Sequence, residues 1–164
     1  MGNFTLRAAT EADVAILFNL IKALAEYEKL SDAVTGNADD LKEHLFGAKP
    51  YVEAIIVEQG GQGVGFALFF NNYSTFLTKP GIYLEDLFVL PEFRRQGIGK
   101  AILSYLAQLA VERGYGRLEW SVLDWNEPAM AVGHATRTHF MNVWEQQYCQ
   151  TGEFVELLER LSIS

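Results

Sequence analysis

Cysteine is almost absent from the sequence, and so is any long hydrophobic run. The single cysteine, Cys149, cannot form a disulfide within one chain, which is typical of the reducing cytoplasm. No stretch approaches the roughly 18 consecutive apolar residues of a membrane-spanning helix. The first residues include Arg7, Glu11 and Asp13 and lack the apolar core of a secretory signal. These absences predict a cytoplasmic protein that does not bind membranes.

Positive charge is also scarce. The 13 Lys and Arg residues are outnumbered by 21 Asp and Glu residues, which gives a net charge of −8. Nucleic-acid binding depends on neutralising phosphates, so we expect no nucleic-acid partner, whereas a cationic small molecule would be attracted from a distance. The histidines, His44, His134 and His139, show no metal-ligand spacing with one another or with Cys149, so we expect no metal site.

The chain has 164 residues, 49% of them apolar, which is enough for one domain with a substantial core. We therefore predict a single domain over residues 1–164.

Turn and cap signals divide the chain into elements. Gly60 and Gly61 separate two strand-like apolar runs, a strong hairpin signal, and Thr10 with Asp13 forms a capping box before a helix. The predicted strands are 4–7, 52–58, 63–71, 82–89, 117–123 and 143–149; helices are predicted after Thr10, at 39–46, after Ile98, after Asn126 and at 153–161, and a polar surface loop at 71–79.

Residues 84–100 carry the most informative pattern of the sequence. An apolar run is interrupted by Glu85 and Asp86, stops at Pro91, passes through a basic turn and enters a helical pattern, which predicts strand, turn and helix. Alternation in the strand places Glu85 on one face and Asp86 on the other. Since burying an unpartnered ionised acid costs several kcal/mol, at least one of them should meet water, a donor or a cation. The apolar strands before it and the helix after it favour a central strand.

The basic turn has the composition of a phosphate site. Arg94, Arg95 and Lys100 supply positive charge, Gly97 and Gly99 allow close approach, and the start of a helix offers free backbone N–H groups.

Two known glycine-rich loops do not match this turn. A Walker loop needs glycine and Ser or Thr where Arg94 and Ala101 stand, and a dinucleotide-binding fingerprint needs a third glycine where Ile102 stands. An ordinary strand-to-helix turn with a solvated basic surface remains the alternative.

The first predicted helix ends in two polar residues at positions of its apolar face. Its neighbouring apolar rows are Val14, Leu17, Ile21 and Leu24, and Ile16, Leu20 and Ala23. Helical spacing continues these rows onto Glu28 and Tyr27 respectively. An acid and a phenol therefore extend the buried face, unless the helix frays there and both are solvated.

The segment Arg94–Gly99 resembles the Arg/Gln-x-x-Gly-x-Gly/Ala signature of the GNAT superfamily of N-acetyltransferases. The segments Leu24–Glu28, Tyr83–Val89 and Leu123–Ala129 resemble its spermidine/spermine (diamine) N-acetyltransferase branch, at similar spacing across nearly the whole chain. The combination is far more specific than the six-residue signature alone.

This resemblance implies an α/β (α+β) domain with a central mixed, mostly antiparallel sheet flanked by helices, and a homodimer. It implies acetyl-CoA as acyl donor and a small cationic amine, such as a polyamine, a diamine or a lysine analogue, as acceptor. Tyr27, Glu28 and Glu85 match substrate-binding positions, and Glu85 and Phe88 match catalytic ones. The implied cofactor-binding residues are Leu87, Phe88, Val89, Arg94, Arg95, Gln96, Gly97, Ile98, Gly99, Lys100, Asn126, Glu127, Pro128 and Ala129.

The implied chemistry needs few groups. An alkylamine has a pKa near ~10.4 and must lose a proton before it attacks a thioester, and Glu85 is the expected base, acting through water. The backbone N–H around Phe88 is the implied donor to the tetrahedral oxyanion. The departing thiolate, with a pKa near ~8.5, benefits from a proton donor.

One position departs from the family pattern. The family places a proton-donating tyrosine seven residues after the asparagine matched by Asn126, and here that position is Gly133. Two functions therefore stay open: an active amine N-acetyltransferase, and a catalytically weakened CoA-binding protein of the same fold.

We expect Gly133→Tyr to raise the acetylation rate at constant CoA affinity, because general acid assistance is worth roughly 10²–10⁴-fold. His134→Ala should change the rate little, since one residue on a helix rotates a side chain by about 100°. Thiol release from acetyl-CoA measures both. A wild-type rate that already matches active relatives and is lost in His134→Ala would instead identify His134 as the acid.

Overall fold

The computed structural model describes residues 3–121, 139–141 and 146–150. Short 3₁₀ turns lie at Glu11–Asp13, Ser31–Ala33 and Pro91–Phe93. The α-helices are α1 (Val14–Tyr27), α2 (Ala38–Phe46) and α3 (Ile98–Glu112). The strands are β1 (Phe4–Ala8), β2 (Glu53–Gln59), β3 (Gln62–Ser74), β4 (Lys79–Val89), β5 (Arg117–Ser121), β6 (His139–Met141) and β7 (Gln146–Gln150).

The strands form one mixed sheet in the order β1-β2-β3-β4-β5-β7-β6. The pairings β1·β2, β2·β3, β5·β7 and β6·β7 are antiparallel, whereas β4 and β5 are parallel and are connected through α3. The predicted fold class, a mixed and mostly antiparallel sheet with helices, is confirmed. Strand β4 lies between β3 and β5, so the prediction of a central strand is also confirmed.

The chain divides into two compact units. The first contains residues 3–69 and 86–98, and its core is formed where α1 packs on β2, β3 and the end of β4. The second contains residues 70–85 and 99–121 with strands β6 and β7. The buried cluster of the first unit is Leu17, Leu20, Leu45, Ala54, Ile56, Phe66, Leu68 and Phe88.

One helix cap and one hairpin turn follow directly from their residues. Asn37 Oδ1 accepts a hydrogen bond from the Asp40 amide (2.8 Å) and caps α2, as its position before the helix predicts. The β2–β3 hairpin turns at Gly60 and Gly61, with φ of +60° and +79°, which residues with a side chain rarely adopt. The predicted hairpin is confirmed.

The predicted polar loop at 71–79 is wrong at both ends, because β3 continues to Ser74 and β4 begins at Lys79. One polar residue of this extension, Asn72, is held by a contact from another strand. Asn72 Nδ2 donates a hydrogen bond to Glu119 Oε2 on β5. A Cβ at Gly81 would lie 2.7 Å from Asn72 Oδ1, so glycine on β4 leaves room for this side chain.

The C-terminal third of the chain is described only in part. Strand β7 begins three residues later than the predicted strand at 143–149, and the short strand β6 was not predicted. The predicted helices after Asn126 and at 153–161 lie outside the described residues. None of the described helices is long and apolar enough to cross a membrane.

An ion-pair cluster ties β1, β2 and the start of α1 together. Arg7 on β1 donates hydrogen bonds to Asp13 (2.7 and 2.9 Å) and to Glu58 on β2 (2.7 and 3.3 Å). The Thr10 amide donates to Asp13 Oδ2 (2.7 Å), so the predicted capping box is formed. The Arg7 guanidinium holds the pKa of the buried Asp13 carboxyl well below its usual range.

We expect Asp13→Asn to lower the free energy of unfolding at pH 7 by about 2–3 kcal/mol, because it removes charge-assisted hydrogen bonds. Folding lowers the pKa of Asp13, so its contribution is complete above the unfolded-state value of about 3.9 and is lost as the pH falls below it. Urea unfolding between pH 7 and 2 should therefore show the difference from wild type shrinking below about pH 4.

Lys42→Gln is the matched control for this prediction. It breaks an exposed ion pair with Glu11 (3.2 Å), which should contribute less than about 1 kcal/mol. A difference between Asp13→Asn and wild type that stays constant down to pH 2 would contradict the assigned role of Arg7.

Candidate active site

The basic turn lies between the Pro91–Phe93 turn and the start of α3. Arg95 and Gly97 have positive φ, +61° and +84°. A left-handed conformation costs a residue with a side chain of order 1–3 kcal/mol, and such strain clusters at functional sites. A Cβ at Gly97 or Gly99 would have nothing described within 4 Å, so open space lies beside both glycines. The turn thus has the glycines, the room and the helix start that an anion site requires.

Arg94 is not a solvated cation. Its Nε donates a hydrogen bond to the Val89 carbonyl (2.9 Å), and its guanidinium carbon lies 4.3 Å from the Tyr27 ring centroid and 5.5 Å from that of Phe88. The two rings are tilted by 51°, with centroids 6.2 Å apart. Four predicted site residues, from α1, β4 and the basic turn, therefore meet in one cluster, which we call the Arg94 cluster: Tyr27, Phe88, Val89 and Arg94.

The end of α1 is ordered as the buried-face prediction requires. The Glu28 amide donates to the Leu24 carbonyl (2.9 Å), so the helix does not fray there, and Tyr27 packs against the core. Both side chains are half-buried. Burial raises the pKa of the Glu28 carboxyl, because the charged form is partly removed from water. Glu28 is therefore an acid at a position where burial disfavours its charged form.

Glu85 lies on β4 and is exposed to solvent, so one of the two adjacent acids meets water as predicted. Tyr83 precedes it by two residues on the same face. The Tyr83 hydroxyl is 2.8 Å from Ser121 Oγ on β5, and its ring stacks on Phe70 of β3 with centroids 5.2 Å apart. Alternation predicts that Tyr83 and Glu85 share a face, but Ser121 and Phe70 come from other strands and were missed.

Some of the remaining predicted site residues lie within the described residues, and others lie outside them. Leu87, Gln96 and Lys100 are half-buried, and Ile98 is buried at the start of α3. Asn126, Glu127, Pro128, Ala129 and Gly133 lie outside the described residues. Within the described part of the chain, no group of three His, Cys, Asp or Glu residues is placed to hold a metal ion.

The fold and this geometry define an α/β protein with a basic, glycine-containing turn after a central strand. The model of the acetyltransferase (GNAT) family matches residues 19–133, and the chain belongs to that family. The predicted family is confirmed, and the chain is an N-acetyltransferase of this class. The predicted roles of the individual site residues stay predictions.

Curated relatives agree with this assignment, and solved structures agree with the fold. Thialysine N-epsilon-acetyltransferase of Bos taurus is 38% identical, with 91% of this chain and 92% of that protein covered. L-ornithine N5-acetyltransferase of Arabidopsis thaliana is 28% identical, with 96% and 89% covered. The crystal structure of an aminoglycoside acetyltransferase from an uncultured soil metagenomic sample has a TM-score of 0.71, with 85% and 95% covered, and its 18% identity supports the fold alone.

We expect Glu28→Gln to raise the free energy of unfolding at pH 7, because it removes a carboxylate whose charged form is disfavoured by burial. Folding raises the pKa of Glu28, so its carboxylate opposes folding at neutral pH and ceases to do so below the unfolded-state value of about 4.3. Denaturant unfolding at pH 7 and pH 4 tests this, and the gain should vanish at pH 4.

Glu26→Gln is the matched control, because Glu26 is exposed on the same helix and its neutralisation should bring no comparable gain. If Glu28→Gln is less stable than wild type at pH 7, Glu28 has a favourable structural partner and is not an acid kept for a ligand.

Proposed function

We propose that the protein transfers the acetyl group of acetyl-CoA to the terminal amine of a small cationic acceptor. The observation that carries this proposal is the end of α1, where a phenol and a half-buried acid with a raised pKa lie on a helix anchored to the basic turn by Arg94. An acid that costs stability at this position is explained by a cationic ligand, which would compensate its charge.

The basic turn is the proposed diphosphate site. Backbone N–H groups at the start of α3 and the cations Arg94, Arg95 and Lys100 would hold the two phosphates, with Gly97 and Gly99 allowing contact with the backbone. The resemblance assigns Leu87–Val89 to the adjoining part of the cofactor, and Asn126–Ala129 completes the proposed cofactor set. When bound, acetyl-CoA supplies the activated thioester carbonyl.

Glu85 is the proposed base, and its exposure supports a role through water. The ammonium group of the acceptor loses a proton to the carboxylate, and the nitrogen lone pair then forms a bond to the thioester carbon. The Phe88 N–H is the proposed donor to the resulting oxyanion. The nitrogen of the intermediate would then lose its second proton to water, the carbon–sulfur bond would break with the electron pair leaving on sulfur as thiolate, and the neutral N-acetylamine would be released.

The acceptor is proposed to be a short-chain amine of the lysine, ornithine or diamine type. The relatives are named for thialysine and L-ornithine acetylation, and both of these substrates carry an amine at the end of a side chain. The net charge of −8 favours attraction of such cations at low ionic strength. Homodimer formation, implied by the family resemblance, stays a prediction.

The proposal is tested by thiol release from acetyl-CoA with spermidine, 1,3-diaminopropane, lysine, ornithine and thialysine. Glu85→Gln should lower kcat/KM for the best acceptor by about 10²-fold, because it removes the base. Glu92→Gln, at an exposed acid in the turn after β4, should leave the rate unchanged. Undiminished turnover in Glu85→Gln across pH would refute the role of Glu85.

The weakened CoA-binding protein remains the second candidate, because Gly133 stands where the family has its tyrosine. Calorimetry with CoA separates the two: binding of CoA without thiol release for any amine of the panel supports the second candidate.

We expect Gly99→Ala to weaken CoA binding by about tenfold or more, equivalent to about 1.4 kcal/mol, without loss of stability. Gly99 has ordinary backbone geometry, so its new methyl group would occupy only the open space beside the turn, and alanine favours the helix. Gly97→Ala should also lower the melting temperature, because φ of +84° is strained for alanine.

Gly36→Ala is the control, since Gly36 also has ordinary geometry and open surroundings but lies before α2. CoA titrations and thermal unfolding of the three variants measure both effects. Unchanged CoA affinity in Gly99→Ala would remove the basic turn from the cofactor site.

A further inference from the structure

Two adjacent arginines of the basic turn have different surroundings. Arg95 is exposed, whereas Arg94 is half-buried in the Arg94 cluster. The composition of the turn predicts both as cations for a phosphate. The structure gives Arg94 a second set of contacts, with a residue of the proposed amine site, Tyr27.

The contacts of Arg94 leave most of its donors available. A guanidinium carries five N–H groups, and Nε–H is used by the Val89 carbonyl. Across the parts of the chain that the structure describes, the Nη groups have no hydrogen-bond partner and no carboxylate pairs with them. Their planar fork suits a phosphate, while the faces of the same guanidinium contact the rings. Arg94 can therefore hold Tyr27 and an anion at once.

The charge of Arg94 has opposite effects on the two ligands of the proposed reaction. Its guanidinium lies 4.3 Å from the Tyr27 ring, so it attracts a diphosphate and repels a cationic amine bound beside Tyr27 and Glu28. A diphosphate bound to the Nη groups would cancel that repulsion. The amine site is thus less favourable for a cation until the cofactor site is filled.

We infer that Arg94 is a positioning residue that couples the two substrates: the amine binds weakly to the free enzyme and more tightly once the diphosphate of the cofactor is paired with Arg94. This inference rests on the proposed function. Because linkage is reciprocal, the amine strengthens cofactor binding by the same factor. Couplings between sites are typically roughly 5- to 150-fold, and a single shared charge places this one at the lower end.

The test uses calorimetric titration of the amine with and without saturating desulfo-CoA, which carries the diphosphate but cannot react. The amine is spermidine or lysine, whichever the wild-type protein acetylates faster. Desulfo-CoA should lower the Kd of the amine by about fivefold or more in wild type. Pantetheine, which lacks the diphosphate, should not change it, and this comparison needs no variant.

Arg94→Gln and Arg95→Gln are the matched variants. In Arg94→Gln the amine should bind the free enzyme more tightly than in wild type, because the repelling charge is gone, and desulfo-CoA should no longer improve its binding. A loss of structure would weaken amine binding, which is the opposite change. Arg95→Gln should weaken desulfo-CoA binding and keep the coupling, since Arg95 is exposed and is not part of the Arg94 cluster.

Three results would overturn the inference: no coupling in wild type, equal coupling with pantetheine, or a folded Arg94→Gln variant with the wild-type coupling. They differ from failure of the proposed function, which would appear as absence of acetyl transfer to every amine of the panel. Acetylation without coupling refutes the role of Arg94 alone.

Discussion

The end of β4 must satisfy two demands, because it is part of a central strand and also part of the candidate site. Phe88 is buried in the core cluster and contacts Tyr27 and Arg94 with the same ring. A Cβ at Gly65 would lie 2.8 Å from the Phe88 carbonyl oxygen, so glycine on β3 allows the close approach of the two strands there. Core packing therefore fixes the position of the Arg94 cluster, and the site has little freedom to relax independently of the fold.

The charges of the first unit differ in how they are compensated. Arg7 lies between Asp13 and Glu58 with good hydrogen bonds, which is what a structural ion pair requires. Glu28 has a raised pKa caused by burial, and Arg94 presents its Nη groups without a carboxylate partner among the described residues. Perturbed and incompletely compensated charges are typical of functional sites. Fully paired charges thus mark the structural scaffold, and incompletely compensated charges mark the candidate site. This distinction needs no reference to any relative.

Sequence patterns predicted what depends on neighbours along the chain. Helical spacing predicted that Tyr27 and Glu28 extend the buried face. The apolar run that ends at Pro91 and the helical pattern after the basic turn predicted the strand, turn and helix around Glu85. Such patterns did not predict contacts between segments that are distant in the sequence. Asn72 was predicted to lie in a loop because its partner Glu119 lies on another strand. Arg94 likewise gave no sign that its guanidinium would lie over the Tyr27 ring. The signature indicated a cation at position 94, but it did not indicate the contact between the Arg94 guanidinium and the Tyr27 ring.

The missing tyrosine at Gly133 bears on only one step of the proposed reaction. In the tetrahedral intermediate the two possible leaving groups are a thiolate, from a thiol with pKa near ~8.5, and the acceptor nitrogen, from an ammonium with pKa near ~10.4. The amine attacks after Glu85 has taken the first ammonium proton, so the nitrogen of the intermediate carries a second acidic proton. Once that proton is lost to water, the nitrogen could leave only as a far more basic amide anion, so sulfur departs preferentially even without a proton donor. In the proposed reaction, loss of both acidic protons from nitrogen favours departure of sulfur, and an acid assists that departure. The loss caused by Gly133 therefore belongs near the lower end of general acid effects, about 10²-fold, and a chain that keeps Glu85 and the basic turn retains the groups that the chemistry needs most.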